Sequence, residues 1–510
     1  MYPDEDGEIK RAGLRDLRKR AAPLDMSPEE FRRLGYTFID KVAALLAEIR
    51  SRPVTPGESP TSVRNALGNA PLPQEGLAAE DALARAWELL STHSLLNGHP
   101  RFSGYVTSPA APVGMLGDLM AAAVNPNAGA WILSPMATEI ESQTVRWIAE
   151  FLGYPADCGG LLVSGGNMAN FIGFLAARRA KSARDIRTEG VEPGKLVAYV
   201  STETHTWIHK AADLFGLGTN SIRWIPVDDE FRMRTDDLVN TIENDRAAGF
   251  TPFFLSGSAG TVSTGAVDPL EELAEIARRY DLWFHVDGAY GAPAAALPGA
   301  SAHLKALSQA DSLAVDPHKW LYAPLEAGCA LLRDRGRLFD TFDYSPPYYR
   351  FDANEDEKPL NYYSYGPQNS RGFRALKVWL GLMTAGREGL IQMIGDDMEL
   401  ARTLFREIRN HPELEAFTQS LSITTFRYVP LGMSRDDPEN TEYLNRLNQV
   451  LLDRLQAGGE AFLSNAVIKG RFALRSCIVN FRTTLTDVEQ IPQIVLALGR
   501  QADAELRAGL

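Results

Sequence analysis

The segment Ser312-Leu-Ala-Val-Asp316-Pro317-His318-Lys319-Trp320 sets a lysine between a histidine and a tryptophan directly after a short apolar run. Most lysines are ordinary surface residues. This one follows a run that reads as a strand, in a turn whose neighbours restrict water and lower its pKa, so it is equipped to form a Schiff base. Upstream, Leu282-Trp-Phe-His285-Val-Asp287-Gly288-Ala289-Tyr290 closes an equally apolar run with a carboxylate. A carboxylate there needs a partner. A protonated pyridine nitrogen would serve, because a fixed carboxylate keeps such a nitrogen charged and its ring electron-poor. Capping of a following helix is the alternative, but the small Gly288 and Ala289 favour a flat ring lying against the backbone.

Two further segments carry polar residues just past apolar runs. Gly159-Gly-Leu-Leu-Val-Ser164-Gly165-Gly166-Asn167-Met168 reads as strand, glycine turn and helix start, which presents backbone N–H groups to a phosphate. It matches neither the GxxxxGK[ST] nor the GxGxxG pattern, so nucleoside triphosphates and dinucleotides are not favoured. After Lys195-Leu-Val-Ala-Tyr-Val-Ser201 comes Thr202-Glu-Thr-His205-Thr-Trp-Ile-His209, which places His205 where it can stack on a flat ring. His205 and His209 have the spacing of a helical metal pair. No HExxH glutamate or third ligand accompanies them, so no metal site is expected.

These residues must be positioned by a framework. Beyond His99, short apolar runs alternate with helical stretches, the pattern of an α/β domain with a mostly parallel sheet. Expected strands are GGLLVS, KLVAYVS, SIRWIPV, FFLSGSAG, LWFHVD and SLAVD, with helices near 167–181, 205–216, 236–247 and 270–280. Chemistry in such sheets collects at the carboxyl ends of strands, where the residues above fall. Before this region, apolar spacing and Ser27 predict a helix from Pro28 to Arg50, then a Pro-, Gly- and Ser-rich loop, then a helix over 78–90. After it, helices near 390–410 and 440–456 and the strands LSITTFRYV and RFALRSCIVNF predict an α+β layer.

Composition sets the outer limits. With 510 residues, 45% hydrophobic and 23% charged, the chain can bury a large core in several domains. Lys+Arg 52 against Asp+Glu 65 gives a net charge of −13 without a basic stripe, so nucleic acid is not an expected partner. Three cysteines without CxxC spacing suggest neither a disulfide scaffold nor a thiolate metal site. No run of 18 apolar residues occurs, and MYPDEDGEIKRAG is polar where a secretory leader needs an apolar core. A cytoplasmic protein with no membrane partner is expected.

Asn167, His205, Asp287 and the His318-Lys319 pair, in this order and spacing, resemble the pyridoxal-phosphate-dependent group II amino-acid decarboxylases, most of all the aromatic-L-amino-acid decarboxylases. The likeness runs from PEEFRRLGYTFIDKVAALLAEI through HPRFSGY, SPMATEIE, HVDGAY and DPHKWL to FRALKVWL. It implies an aspartate-aminotransferase-like fold of type I. Residues 1–98 would form a helical dimerisation segment, 99–378 the cofactor-binding large domain and 379–510 a small α+β domain. It implies pyridoxal 5′-phosphate as cofactor, held by Lys319 as a Schiff base, with Asp287 on the pyridine nitrogen, His205 stacked on the ring and Ala289 beneath it. Gly166, Asn167 and His318 would bind the phosphate. Relatives usually carry asparagine where this chain has Asp316; a carboxylate repels a phosphate, so Asp316 is expected to turn away.

The resemblance also implies that Tyr348, in TFDYSPPYYRFDANEDEKPLNYYSY, donates the proton that replaces carbon dioxide, with Tyr344 and Tyr349 as neighbours. Tyr105 matches a substrate-pocket tyrosine. Asn127 and Gly129 stand where aromatic-selective relatives carry large apolar residues, implying a wider, more polar pocket. The expected reaction is decarboxylation of an L-amino acid, first of all an aromatic one, in a homodimer with active sites at the subunit interface. An acidic or diamino substrate, an aminotransferase, an aldehyde synthase and a non-catalytic module of the same fold are the alternatives. Tyr348 argues against the synthase, and intact Lys319, Asp287 and His205 argue against the module.

Overall fold

A computed structural model describes residues 22–344, 359–435 and 437–509. Two compact units divide at Leu95 and Leu96. In the first, the Ser27 side chain accepts from Glu30 N and Pro28 opens helix α1 (Pro28–Glu48), a position where the missing proline N–H costs nothing. Helix α2 (Pro60–Leu67) lies in the stretch expected to be a loop. Ser59 caps it and Pro60 begins it; proline after serine is a start signal as well as a loop signal, and composition alone does not separate the two. Helix α3 (Ala79–His93) meets α1 through an edge-on Phe38–Trp87 contact at 5.7 Å and an Arg33–Glu80 ion pair at 2.9 Å.

The second unit begins with helices α4 (Pro112–Val124) and α5 (Pro135–Leu152) and then builds a seven-stranded sheet. Its strands are β1 (Gly159–Val163), β2 (Leu196–Ser201), β3 (Ile222–Ile225), β4 (Thr251–Ser258), β5 (Trp283–Asp287), β6 (Ser312–Val315) and β7 (Gly328–Leu332). Their order across the sheet is β1-β7-β6-β5-β4-β2-β3. From β3 to β6 every pairing is parallel, while β7 runs antiparallel to both β6 and β1. Strands buried on both faces read as continuous apolar runs, which is why six of the seven were legible; β2 and β6 are buried at every residue. The seventh, β7, was not anticipated, although Gly328-Cys-Ala-Leu-Leu332 is a buried apolar run of the same kind.

Helices α6 (Gly166–Lys181), α7 (Trp207–Leu214), α8 (Thr235–Ala247) and α9 (Leu270–Tyr280) connect the parallel strands. Ser258 pairs with Asp287 and Asp287 with Ala314, so β4, β5 and β6 end level with one another. After the sheet, α10 (Ala375–Arg409) is broken at Gly386, whose φ of 63° leaves the helical region. It leads into a four-stranded antiparallel sheet of order β10-β11-β9-β8, formed by β8 (Leu414–Ser420), β9 (Ile423–Tyr428), β10 (Ser464–Ile468) and β11 (Arg471–Cys477). Helices α11 (Pro438–Gly458) and α12 (Leu485–Ala508) pack on this sheet around a core that includes Phe426, Leu447, Leu474 and Val495. No helix among the described residues is long and apolar enough to cross a membrane.

Candidate active site

A cavity of about 330 Å³ opens at the carboxyl ends of the parallel strands. Ser164, Gly165, Gly166 and Asn167 enter it from the β1–α6 turn, Glu203 and His205 from beyond β2, and Ser258, Gly260, Thr261 and Val262 from the end of β4 and the loop after it. Asp287 ends β5 and Ala289 follows it, and Asp316, His318 and Lys319 follow β6. Eight sequence-selected residues are thus brought to one place: Gly166, Asn167, His205, Asp287, Ala289, His318, Lys319 and, against expectation, Asp316.

The turn after β6 is wound by its own backbone, with Lys319 N donating to Asp316 O at 2.9 Å and Asp316 N to Ala289 O at 3.1 Å. Asp316 does not turn away. Its side chain is 2% exposed, and Oδ2 lies 2.9 Å from Lys319 Nζ. The lysine cation draws it in. That pair also corrects the expectation of a lowered lysine pKa: burial works in that direction, but the carboxylates of Asp316 and Asp287 outweigh it and the net displacement is upward. Burial lowers both His205 and His318, with Asp287 opposing it at the first and Asp316 at the second. His205 Nδ1 accepts from Trp207 N at 3.2 Å, which leaves the proton of the neutral ring on Nε2. His318 Nδ1 lies 2.7 Å from Ala327 O and 3.3 Å from Ala327 N, and its Nε2 is 3.8 Å from Asp316 Oδ2.

Asp287 Oδ1 accepts from Ala289 N at 3.2 Å. Gly288 is small for a reason other than the one expected: a Cβ there would meet Ala292 Cβ at 2.6 Å and Leu313 Cδ1 at 2.9 Å, away from the cavity. At Gly166, by contrast, a Cβ would stand 2.7 Å from Asp316 Oδ2 and 3.1 Å from Ala289 Cβ, inside the site.

Three supporting groups escaped the sequence reading. His285, on β5 two residues before Asp287, is buried between Ser312 Oγ and Asn170 Oδ1, both at 2.7 Å, and burial pushes its pKa down to about 4. It is a neutral core histidine that ties β5 to α6 and β6. Asp397, on α10, accepts from Trp320 Nε1 at 2.9 Å and Tyr322 Oη at 2.7 Å and so holds the chain just after Lys319; burial raises its pKa to about 7. Arg371 and Glu141 form a fully buried ion pair at the end of β1: Leu162 N donates to Glu141 Oε1 at 2.8 Å, and Arg371 Nη2 donates to Leu162 O at 2.7 Å.

Other selected residues stand elsewhere. Tyr105 is 58% exposed, its ring 6.3 Å from Phe462, and the adjacent Val106 lines the cavity in its place. Asn127 and Gly129 are not among the residues that line this cavity. Asn127 Oδ1 accepts from Gly129 N and Arg371 N, both at 3.0 Å, and a Cβ on Gly129 would fall 2.0 Å from Asn369 O, so both residues serve the close packing of this turn against the chain at 369–371. His209 stacks on Trp224 at 4.8 Å. Tyr348 and Tyr349 lie outside the described residues; Tyr344 is exposed beneath Arg187, 3.9 Å from its guanidinium carbon.

The pyridoxal-dependent decarboxylase conserved domain matches residues 62–429. An aromatic-L-amino-acid decarboxylase of Bacillus atrophaeus is 34% identical over 479 residues, 94% of this chain and 97% of that protein. A phenylacetaldehyde synthase of a Rosa hybrid cultivar is 29% identical over 91% of this chain and 92% of its own length. The crystal structure of Oryza sativa TDC with PLP and tryptamine superposes with a TM-score of 0.87 at 26% identity, covering 94% of this chain and 99% of that one. The large mixed sheet with its small antiparallel partner domain is the fold type I architecture of these enzymes. With its lysine, aspartate and histidine gathered in one cavity, the chain belongs to the pyridoxal-dependent decarboxylase family, a carboxy-lyase that works with pyridoxal phosphate.

Proposed function

We propose that the protein decarboxylates an aromatic L-amino acid to the corresponding amine and carbon dioxide, and that Lys319, Asp287 and His205 are its principal catalytic groups. The observation that carries this reading is their convergence, from the ends of β6, β5 and β2, on one cavity with the Ser164–Asn167 turn. The residues fit the cofactor. A Cβ on Gly166 would meet Asp316 and Ala289, so only glycine fits the turn there, and Lys319, Asp287 and His205 line the same cavity.

Lys319 would hold pyridoxal phosphate covalently, Gly166, Asn167 and His318 its phosphate, and Asp287 its ring nitrogen, with His205 and Ala289 on the two ring faces. When bound, the cofactor supplies a conjugated cation that accepts the electron pair left as carbon dioxide departs. Asp287 keeps a proton on the ring nitrogen. His205, neutral and with its proton on Nε2, offers a flat apolar face and one donor. Tyr348 is assigned the proton that replaces carbon dioxide. Val106, Met168 and Val262 give the cavity an apolar wall suited to an aromatic side chain. No arginine lines it among the described residues, which supports decarboxylation over transamination, where a cation must hold the substrate carboxylate in the ring plane.

The same reading makes the protein a cytoplasmic homodimer, with residues 1–98 as a dimerisation segment, the large domain ending near 378 and Tyr105 meeting substrate at a shared interface. Supporting it, α4 exposes Leu116, Leu119, Met120 and Val124, α1 exposes Phe31, Tyr36 and Phe38, and the three cysteines are free. A panel of L-amino acids with carbon dioxide and amine both measured tests the function. Equal yields from an aromatic member support it, and release only from acidic or diamino members overturns the substrate. Keto acid without carbon dioxide, or aldehyde with peroxide in place of amine, would move the enzyme to another reaction. The Lys319→Ala variant should be inactive and lack visible absorbance with cofactor.

A further inference from the structure

We propose that Asp316 is a phosphate-sensitive lock on Lys319: its carboxylate holds the lysine as an ammonium until an anion arrives at the Gly165–Asn167 turn, and then takes the lysine's proton. The inference rests on the placement of the cofactor phosphate at that turn. One carboxylate touches both parts of the site. Oδ2 lies 2.9 Å from Lys319 Nζ and 2.7 Å from the point where a Cβ on Gly166 would stand, while the buried Oδ1 has no partner among the described residues. A buried, half-satisfied carboxylate is tolerated while a cation sits beside it. An anion seated on the turn's N–H groups repels it, and protonation relieves that repulsion.

The nearest proton is on Nζ. One N–H bond breaks, one O–H bond forms, the lone pair stays on nitrogen, and the net charge of the pair is unchanged. Lys319 becomes the neutral amine that attacks a carbonyl, and Asp316 becomes an acid able to donate a hydrogen bond to the anion. The other titratable groups facing this pair are Asp287 at the end of β5, His205 and Glu203 after β2, Cys477 on β11, Cys329 on β7 and His318. His318, with Nε2 3.8 Å from Asp316 Oδ2, is the competing proton acceptor.

Pyridoxal, which has the reactive aldehyde and no phosphate, separates the two events. Full-length apoenzyme is mixed with pyridoxal, with and without inorganic phosphate; adduct formation is followed by absorbance, and its site by borohydride reduction and peptide mapping. Wild type should react slowly with pyridoxal alone and about tenfold faster with phosphate, because a one-unit fall in lysine pKa gives ten times more free amine. Asp316→Asn should react fast without phosphate and change less than about twofold with it. A wild-type rate indifferent to phosphate overturns the proposal, and acceleration that survives in Asp316→Asn overturns it in favour of His318. Should that variant not fold, the wild-type pH–rate profile decides: phosphate must move its midpoint downward, and an unmoved midpoint overturns the lock. Adducts mapping to a different lysine would remove the assignment of Lys319 itself, a separate failure visible in the peptide map.

Discussion

Replacing Asp397 by alanine tests whether the chain after Lys319 is held from α10. The substitution strands Trp320 Nε1–H and Tyr322 Oη–H, two buried donors whose bonds of 2.9 and 2.7 Å both end on Asp397 Oδ2. At about 1–3 kcal/mol for each donor left unsatisfied, the expected loss is about 2–6 kcal/mol. A second contribution runs the other way and depends on pH. The carboxyl is raised from 3.8 to about 7 in the fold, so the native state binds the extra proton and wild-type stability falls as pH rises from the unfolded value through the folded one. At about 1.4 kcal/mol per unit, that penalty grows by about 2 kcal/mol between pH 5.5 and 8.5. Alanine has no such group, so the gap between variant and wild type should be widest at pH 5.5 and narrower by about 2 kcal/mol at pH 8.5. Urea unfolding of both proteins at the two pH values measures it. A gap that stays the same at the two pH values would mean that Asp397 is an ordinary ionised carboxylate in the fold, and the argument from its burial would be wrong.

Arg371→Met leaves Glu141 buried without its cation and should cost about 3–5 kcal/mol in urea unfolding, whereas the double change with Glu141→Gln should recover much of it; a single-variant loss under about 1 kcal/mol would contradict the buried-pair reading. Asp287→Asn should still take up cofactor, seen by absorbance, but lower turnover by about a hundredfold or more, since an amide cannot keep the ring nitrogen protonated; near-normal decarboxylation would make Asp287 merely structural. Tyr348→Phe should yield less amine and more aldehyde, ammonia and peroxide per substrate consumed, and an unchanged amine yield would transfer the proton to Tyr344, Tyr349 or another acid.

What sequence could show, and what it could not, divides by distance along the chain. Lys319, Asp287, His205 and the Ser164–Asn167 turn were legible because each is a polar interruption directly after an apolar run, and the sheet brings all such interruptions to one end. Asp397 was not: its partners lie 77 and 75 residues away, and in IGDDMEL it has the look of helix surface charge. Glu141 and Arg371, 230 residues apart, were hidden in the same way. The contact that requires glycine at position 129, the approach of Asn369 O, is purely tertiary and left no mark in the sequence. Asp316 was recognised as a departure, but its direction depended on a charge balance that no local pattern records.

The antiparallel β7 has a consequence for the order of synthesis. Among the described residues, strand β1, which carries the glycine turn, pairs only with β7, Gly159 opposite Leu332, and β7 in turn joins it to β6. On the ribosome, β3 to β6 can lie down as they emerge, each beside a strand already made, while β1 waits for its partner. The two halves of the cofactor site, Lys319 and the Ser164–Asn167 turn, therefore come into register only when the residues of β7 have left the exit tunnel. A nascent chain halted before Gly328 has every residue that lines the cavity and no completed cavity, so cofactor capture marks the closing of the sheet and not the appearance of the lysine.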